Sequence, residues 1–347
     1  ELGPMESLLD LGASIAGVAR PGIKLQKLIQ RFTSKSDAGT LHLPLKKISV
    51  APSANVKHEV DAATDDKEIA SFSLKVGADL ITDVREIAQW IVSLEPEKQL
   101  VLCNLAYLDG ADNVRASVSM DIITEYVCEK RKNTALSFLI SPATSHIIPE
   151  DAADNSKERL VNFSKCKSPL ALMKFPGFNY QPNKISGLLP RTNLRVINGL
   201  SDLQGPNYAL SKCMQQWRAI IARAEGHIVS ANHAPASRTA NMINHRSIAN
   251  ALEGMQSFPP LLTFEPRTTS TLMASLMLYD LNFDCSSANP ATDISHPMCL
   301  FNENSVHGGL WRCPFSLDSI QVSSYFTGMF NNGFFGSRFS LERHNMQ

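Results

Sequence analysis

Residues 99–141 read QLVLCNLAYLDGADNVRASVSMDIITEYVCEKRKNTALSFLIS, and this stretch decides the fold class. Gln99 to Leu105 and Ala135 to Ser141 are short, nearly continuous apolar runs, the pattern of parallel strands covered on both faces. A helix from Val118 to Lys130 is expected between them. Upstream, Asp83 to Leu94 (DVREIAQWIVSL) sets Val84, Ile87, Ile91 and Leu94 on one helical face, with Asp83 at the N-cap position. Helix, buried strand, helix, buried strand is the rhythm of a doubly wound parallel sheet, so the expected class is α/β.

The same reading extends in both directions. A helix from Tyr208 to Ala224 is followed by a strand from His227 to Asn232, a helical stretch from Thr269 to Leu281 and a final strand from Met298 to Phe301. Toward the N-terminus, Lys46 to Ala51 (KKISVA) is a β-branched run that stops at Pro52 and reads as a strand. Residues 1–45 carry apolar positions Leu8, Leu9, Leu11, Ile15, Ile23, Leu25, Leu28 and Ile29, broken at Pro21-Gly22. They read as two helical segments, or as a short strand followed by a helix. Residues 146–206 are rich in Pro, Asn and Ser and read as an insertion. The expected organisation is a single domain over 46–311 that holds this insertion. An N-terminal extension or eroded first β–α unit (1–45) precedes it, and an aromatic tail (312–347) follows.

Composition narrows the function classes. With 44% hydrophobic and 19% charged residues, the 347-residue chain can bury a sizeable core and is not disordered throughout. Thirty-three basic residues balance 33 acidic ones, so no basic excess exists to draw nucleic acid or anionic membranes. No apolar run reaches the length of about 18 residues that a spanning helix needs. The cysteines, at 103, 128, 166, 213, 285, 299 and 313, are odd in number and none are two residues apart. They read as reduced core thiols in an intracellular, reducing compartment rather than as a disulfide framework or a zinc ribbon. His146, His227, His233, His296 and His307 lack H-x-x-x-H or H-E-x-x-H spacing, so no metal site is expected and they read as ordinary polar or partly buried histidines. Asp151, Asp154 and Glu158 read as a solvated face, and Cys213 as a core thiol rather than a nucleophile.

One pair carries possible chemistry. Tyr208 and Lys212, four apart, lie on one face of a helix, where an ammonium lowers the phenol pKa and makes tyrosine a usable general acid or base. What surrounds the pair resembles the short-chain dehydrogenase/reductase family. There a Y-x-x-x-K helix leads to a strand and an N-x-x-x-P-G turn, here Asn232 to Pro235-Ala236 with Thr239 beyond. Asp79-Leu80 resembles the family's adenine-contacting pair. Leu100 to Ala106, with Asn104, stands for its N-N-A-G strand, and Leu139 to Ser145 for its serine segment. Met298 to Phe301 with Val306 to Gly309 is similar to its last strand and D-G-G turn. These blocks keep family order over residues 75–311, and the long insertion before Tyr208 is similar to the 3α-hydroxysteroid dehydrogenase branch. The resemblance implies a Rossmann-like fold and, for an active member, NAD(P). Tyr208, Lys212 and Ser141 would be catalytic, and Gly12, Gly17, Asp79, Asn104, Pro235 and Thr239 would hold the cofactor.

The departures from the family pattern fall on the chemistry. Pro142, which has no donor, stands at the catalytic serine position, with Ser141 adjacent and Thr144 or Ser145 a register change away. Asp121 replaces an asparagine, and Ala236 replaces the turn glycine. The phosphate loop is eroded whether it is Leu11 to Ala19, with Gly12 and Gly17, or Ile48 to Asn55, which has no glycine. The first choice fits the chain length to Asp79 better. The expectation is a pseudoenzyme without cofactor, an accessory subunit of a larger protein assembly, with a mitochondrial membrane complex implied by analogy with complex I. Its partners would be other protein subunits, met through the N-terminal extension and the aromatic tail. The alternative is an active NAD(P)-dependent oxidoreductase on a carbonyl or alcohol substrate.

Overall fold

The computed structural model describes residues 3–33, 39–45, 66–142, 144–165, 180–190, 192–200, 204–239, 246–302 and 308–334. The expected strand Lys46 to Ala51 lies outside these residues, as do Cys166, His307, Phe335 and Phe339. The chain divides into two compact units, Pro4–Ala135 and Leu136–Gln347, with Glu1–Gly3 joining the second. The division falls at the start of the Ala135 to Ser141 run, whereas the sequence reading places boundaries at 45/46 and 311/312.

In the first unit, α1 (Met5–Asp10), β1 (Ser14–Ala16), α2 (Ile23–Thr33) and β2 (Thr40–His42) realise the strand-then-helix reading of the N-terminus. β1 and β2 pair in parallel, Ser14 opposite Thr40 and Ala16 opposite His42, with α2 as the crossover. α3 (Asp66–Ser73) packs on α2 through Leu25, Ile29 and Ile69, and Val76 joins the same apolar cluster. α4 (Val84–Ser93) is the amphipathic helix read from sequence, and its Ile87, Ala88 and Ile91 bury against Ile123 and Val127. Asp83 stands at its N-cap position, but the carboxylate accepts from the Asp79 amide at 2.8 Å instead of capping the helix. β3 (Leu100–Asn104) follows, then α5 (Ala111–Lys130), two turns longer than its apolar pattern indicates. The turn after α4 is braced from a distance: Arg131 donates to the Leu94, Glu95 and Lys98 carbonyls.

In the second unit, β4 (Thr134–Ile140) pairs in parallel with β8 (Val229–His233), Leu136 opposite Val229 and Ile140 opposite His233. Within the stretch read as an insertion, described residues form an antiparallel sheet. β5 (Ser145–Pro149), β7 (Leu194–Asn198) and β6 (Ile185–Leu188) line up in the order β5-β7-β6, with α6 (Glu150–Lys165) after β5. Ile148, Ala152, Ala153 and Ile197 from these elements form one core with Phe258, Leu310, Trp311 and Phe315.

α7 (Gly205–Ala224) starts with Pro206 in its first turn and ends at Gly226, whose φ of +96° favours glycine. α8 (Arg246–Met255) and α9 (Pro266–Asn282) follow. The expected strand Met298 to Phe301 is a 3-10 helix, Pro297–Phe301. Pro297 in its first turn cannot donate to a ladder, and the His296 side chain caps it by accepting from the Met298 amide at 3.1 Å. The tail, read as aromatics on irregular backbone, is a 3-10 turn (Leu310–Arg312) and α10 (Leu317–Phe334). Trp311 and Phe315 are buried in their own unit, so the first part of the tail's aromatic signal is core. The class is mixed α/β with parallel strand pairs.

Candidate functional site

Lys212 reaches the carboxyl end of β4, where Ser141 follows the strand, and Tyr208 lies one helical turn before Lys212 on α7. Lys212 keeps part of its stem exposed, but its amine lies inside the fold and donates to the Leu139 carbonyl and the Gln215 side chain, both at 3.0 Å. Its Nζ is 5.8 Å from the centre of the Tyr208 ring, one helical turn away. Burial pushes the ammonium down to about 8. Ser141 is buried, and its carbonyl accepts from the His146 ring at 2.9 Å. Pro142, at the family's serine position, lines a narrow pocket with Asn198, Gly199, Trp311 and Phe315. The pocket holds about 10 Å³, room for one water and not for a substrate.

The depressed Lys212 value has a measurable consequence. The unfolded chain holds this proton up to its ordinary value of 10.5, so between pH 8 and 10.5 the unfolded state binds more protons and stability rises with pH. Below pH 8 the full penalty, about 3 kcal/mol, stands against the two hydrogen bonds the amine makes. Lys212→Met should be at least as stable as the parent at neutral pH, and its advantage should fade as the solution is taken to pH 10.5. Urea midpoints of both proteins across that range measure this, and a constant offset would refute it.

The residues expected to hold a cofactor fall into two groups. In the first unit, Gly12 (φ +82°) and Gly17 flank β1, so the strand runs between them instead of before them. They cannot form a phosphate loop, because such a loop follows its strand and opens a helix. The turn that does this is Gly17 to Gly22, between β1 and α2. It is closed: the Ala19 carbonyl accepts from the Ala78 amide at 2.9 Å, and Arg20 pairs with Asp79 at 2.7 Å. A Cβ on Gly77 would stand 2.6 Å from the Ala19 carbonyl oxygen, so the two backbones touch. Partial burial raises the Asp79 pKa, but the Ile81 amide and Arg20 outweigh it and hold the carboxyl below the usual range. Asn104 is buried and exchanges hydrogen bonds with Thr124 of α5, at 3.0 and 3.3 Å.

In the second unit, the turn after β8 is tied down along its length. The Pro235 carbonyl accepts from Ser237 Oγ at 2.8 Å, Ala236 O from Phe264 N, and Thr239 N donates to Ser237 O. Ser237 Oγ also meets Thr269 Oγ1 at 2.6 Å.

The sequence reading missed two clusters. His146 of β5 and His233 of β8, among the ordinary histidines by spacing, are fully buried, with Nε2 atoms 3.4 Å apart beneath Trp311. Asp280 of α9 is buried, and its carboxylate accepts from Ser230 and Asn232 of β8 and from Ser286, at 2.6–2.7 Å. The available signal was the polar residues inside the run Val229-Ser-Ala-Asn-His233, all five buried, with Ser230 and Asn232 on one face and His233 on the other. Asp151 and Asp154 sit on an exposed surface as expected, paired with Arg312 and Lys157.

Among the described residues six cysteines form no disulfide, although Cys103 and Cys285 are exposed and not core thiols. No group of three metal-ligating side chains converges among the described residues. No helix among them is long and apolar enough to cross a membrane. The chain matches no family model, no curated protein and no solved structure.

Proposed function

We propose that this chain is a non-catalytic, Rossmann-like relative of the short-chain dehydrogenases that serves as an accessory subunit of a larger protein assembly. The observation that carries the reading is the closed turn after β1. The Ala19–Ala78 hydrogen bond and the Arg20–Asp79 pair take up the backbone and carboxylate that a family member would turn to the pyrophosphate and adenine. Pro142 in place of the carbonyl-polarising serine supports it from the chemical side. The doubly wound sheet belongs to the same proposal, and so does a mitochondrial membrane complex as host.

Two exposed apolar stripes support a life among partners. Leu210, Trp217 and Ile221 run along α7, and Val322, Phe326, Met329 and Phe330 along α10, each at helical spacing. The described part of the tail left for partners is this α10 stripe. Thermal unfolding with and without millimolar NADH or NADPH tests the reading, since a ligand that binds only the folded state raises its midpoint. The midpoint is expected to stay put. A saturable upward shift that Arg20→Ala alters would overturn the proposal in favour of an oxidoreductase with Tyr208 as acid/base and Lys212 beside it.

A further inference from the structure

α10 is amphipathic in the reverse sense for a helix on a globular surface, where the polar side ordinarily meets water. Ile320, Ser323, Ser324 and Gly328 face the interior, while Val322, Phe326, Met329 and Phe330, on the other side, are 36–55% exposed. The Ser323 and Ser324 hydroxyls are buried and meet no hydrogen-bond acceptor or donor among the described residues. Gly254 of α8 and Gly328 bring the two backbones into contact, against the Ser324 and Asn250 carbonyls. Small residues where helices meet, hydroxyls turned inward and large apolar side chains outside are the packing of helix pairs that face lipid.

Size argues against a protein as the occupant of this face. The four side chains expose on the order of 300 Å² of apolar surface, where a stable protein interface buries about 800 Å² per partner. A lipid layer needs no matching surface, because its chains and headgroups fit themselves around each inserted side chain. Charge narrows the kind of lipid. Asp318, in the first turn, is the only charged residue of α10, and none occurs from Ser319 to Phe334. The Lys and Arg clusters that draw a helix to an anionic leaflet are absent from it, and the chain as a whole balances 33 basic against 33 acidic residues. An uncharged face complements a zwitterionic leaflet. Eighteen residues give a helix about 27 Å long, and it is not apolar enough to span, so it would lie in the plane of the interface.

We propose that α10 is a lipid-contact helix, its Val322, Phe326, Met329 and Phe330 face sunk into the headgroup region of a zwitterionic leaflet with α8 behind it. The inference deepens the reading of the chain as a membrane-complex subunit, and rests on it, by giving the α10 stripe its occupant. Flotation of the full chain with small, highly curved phosphatidylcholine vesicles tests it. The chain is expected to float with them, equally well at high salt and when part of the lipid is replaced by phosphatidylserine. Val322→Glu with Phe330→Glu, both exposed positions, should lower the bound fraction about tenfold while circular dichroism and the urea midpoint stay those of the parent. Trp217→Glu, on the α7 stripe, should leave binding within about twofold. A chain that stays at the bottom of the gradient overturns the proposal, as does flotation that needs phosphatidylserine and is lost in salt. Binding that the α10 variant keeps, or that Trp217→Glu lowers equally, also overturns it. So does a dimer in sedimentation that Val322→Glu with Phe330→Glu splits, which would assign the face to a second copy. The NADH midpoint is read without vesicles, so a failure here is separate from a failure of the non-catalytic reading.

Discussion

Asp280→Ala is expected to destabilise the second unit by about 3–5 kcal/mol, the range for stripping a buried charge network of its centre. The carboxylate sits in the last turn of α9, where the helix dipole disfavours a negative charge, and that turn carries no basic residue. It is stable there because three donors converge on it: Ser230 Oγ and Asn232 Nδ2 at 2.7 Å on one oxygen, Ser286 Oγ at 2.6 Å on the other. Removing it leaves those three groups buried without their acceptor, and each unsatisfied group costs about 1–3 kcal/mol. Asp280→Asn keeps the shape and one oxygen but sets an amide donor toward Ser230 and Asn232, so a smaller loss is expected. Urea unfolding measures both, and an unchanged slope with a lowered midpoint assigns the loss to the folded state. An alanine variant with the parent midpoint would mean that water replaces the carboxylate and that the network is not a keystone of β8.

Gly328→Ala should be nearly as damaging, through shape instead of charge. α8 and α10 cross with their backbones in contact: a Cβ on Gly254 would stand 1.8 Å from the Ser324 carbonyl oxygen, and one on Gly328 1.9 Å from that of Asn250. The clashes are reciprocal and fall on backbone, so no rotamer change relieves them and the helices must part by more than an ångström. A cost of about 2–4 kcal/mol is expected, at the upper end of what overpacking brings. Its signature is early proteolysis within α10 while the rest of the unit resists. Gly254→Ala should behave alike, and the pair together should cost less than the sum, since one separation accommodates both. A Gly328→Ala protein that melts and is cleaved like the parent would show that the two helices slide freely.

Both predictions rest on features the sequence presents only faintly. Gly328 and Ser324 are spaced as small residues at helical contacts are, yet the tail's phenylalanines dominate its reading and point to irregular backbone. The helix forms because α8 supplies the facing groove, and that groove lies some 70 residues upstream in the chain. Asp280 breaks an apolar run and reads as an interruption, because its three donors come from β8 and from Ser286 and meet only in the fold. The Met298 to Phe301 run illustrates the converse error. Its apolar content is that of a strand, but Pro297 and the His296 cap commit it to a 3-10 helix.

The sequence by itself determined where the regular elements lie wherever burial follows a local period: β3, β4, β8, α4, α7 and α9, each within a few residues. It also determined the chemistry that the Tyr208 to Lys212 spacing permits, because four residues on a helix bring two side chains to one face regardless of context. Only the tertiary structure decided that Gly12 and Gly17 bracket a strand, that Ala19 and Arg20 close the turn after it, and that His146 meets His233. Those outcomes depend on which backbone groups and rings are brought together from distant points of the chain. Hydrogen bonding and desolvation act on that proximity, which no local pattern encodes.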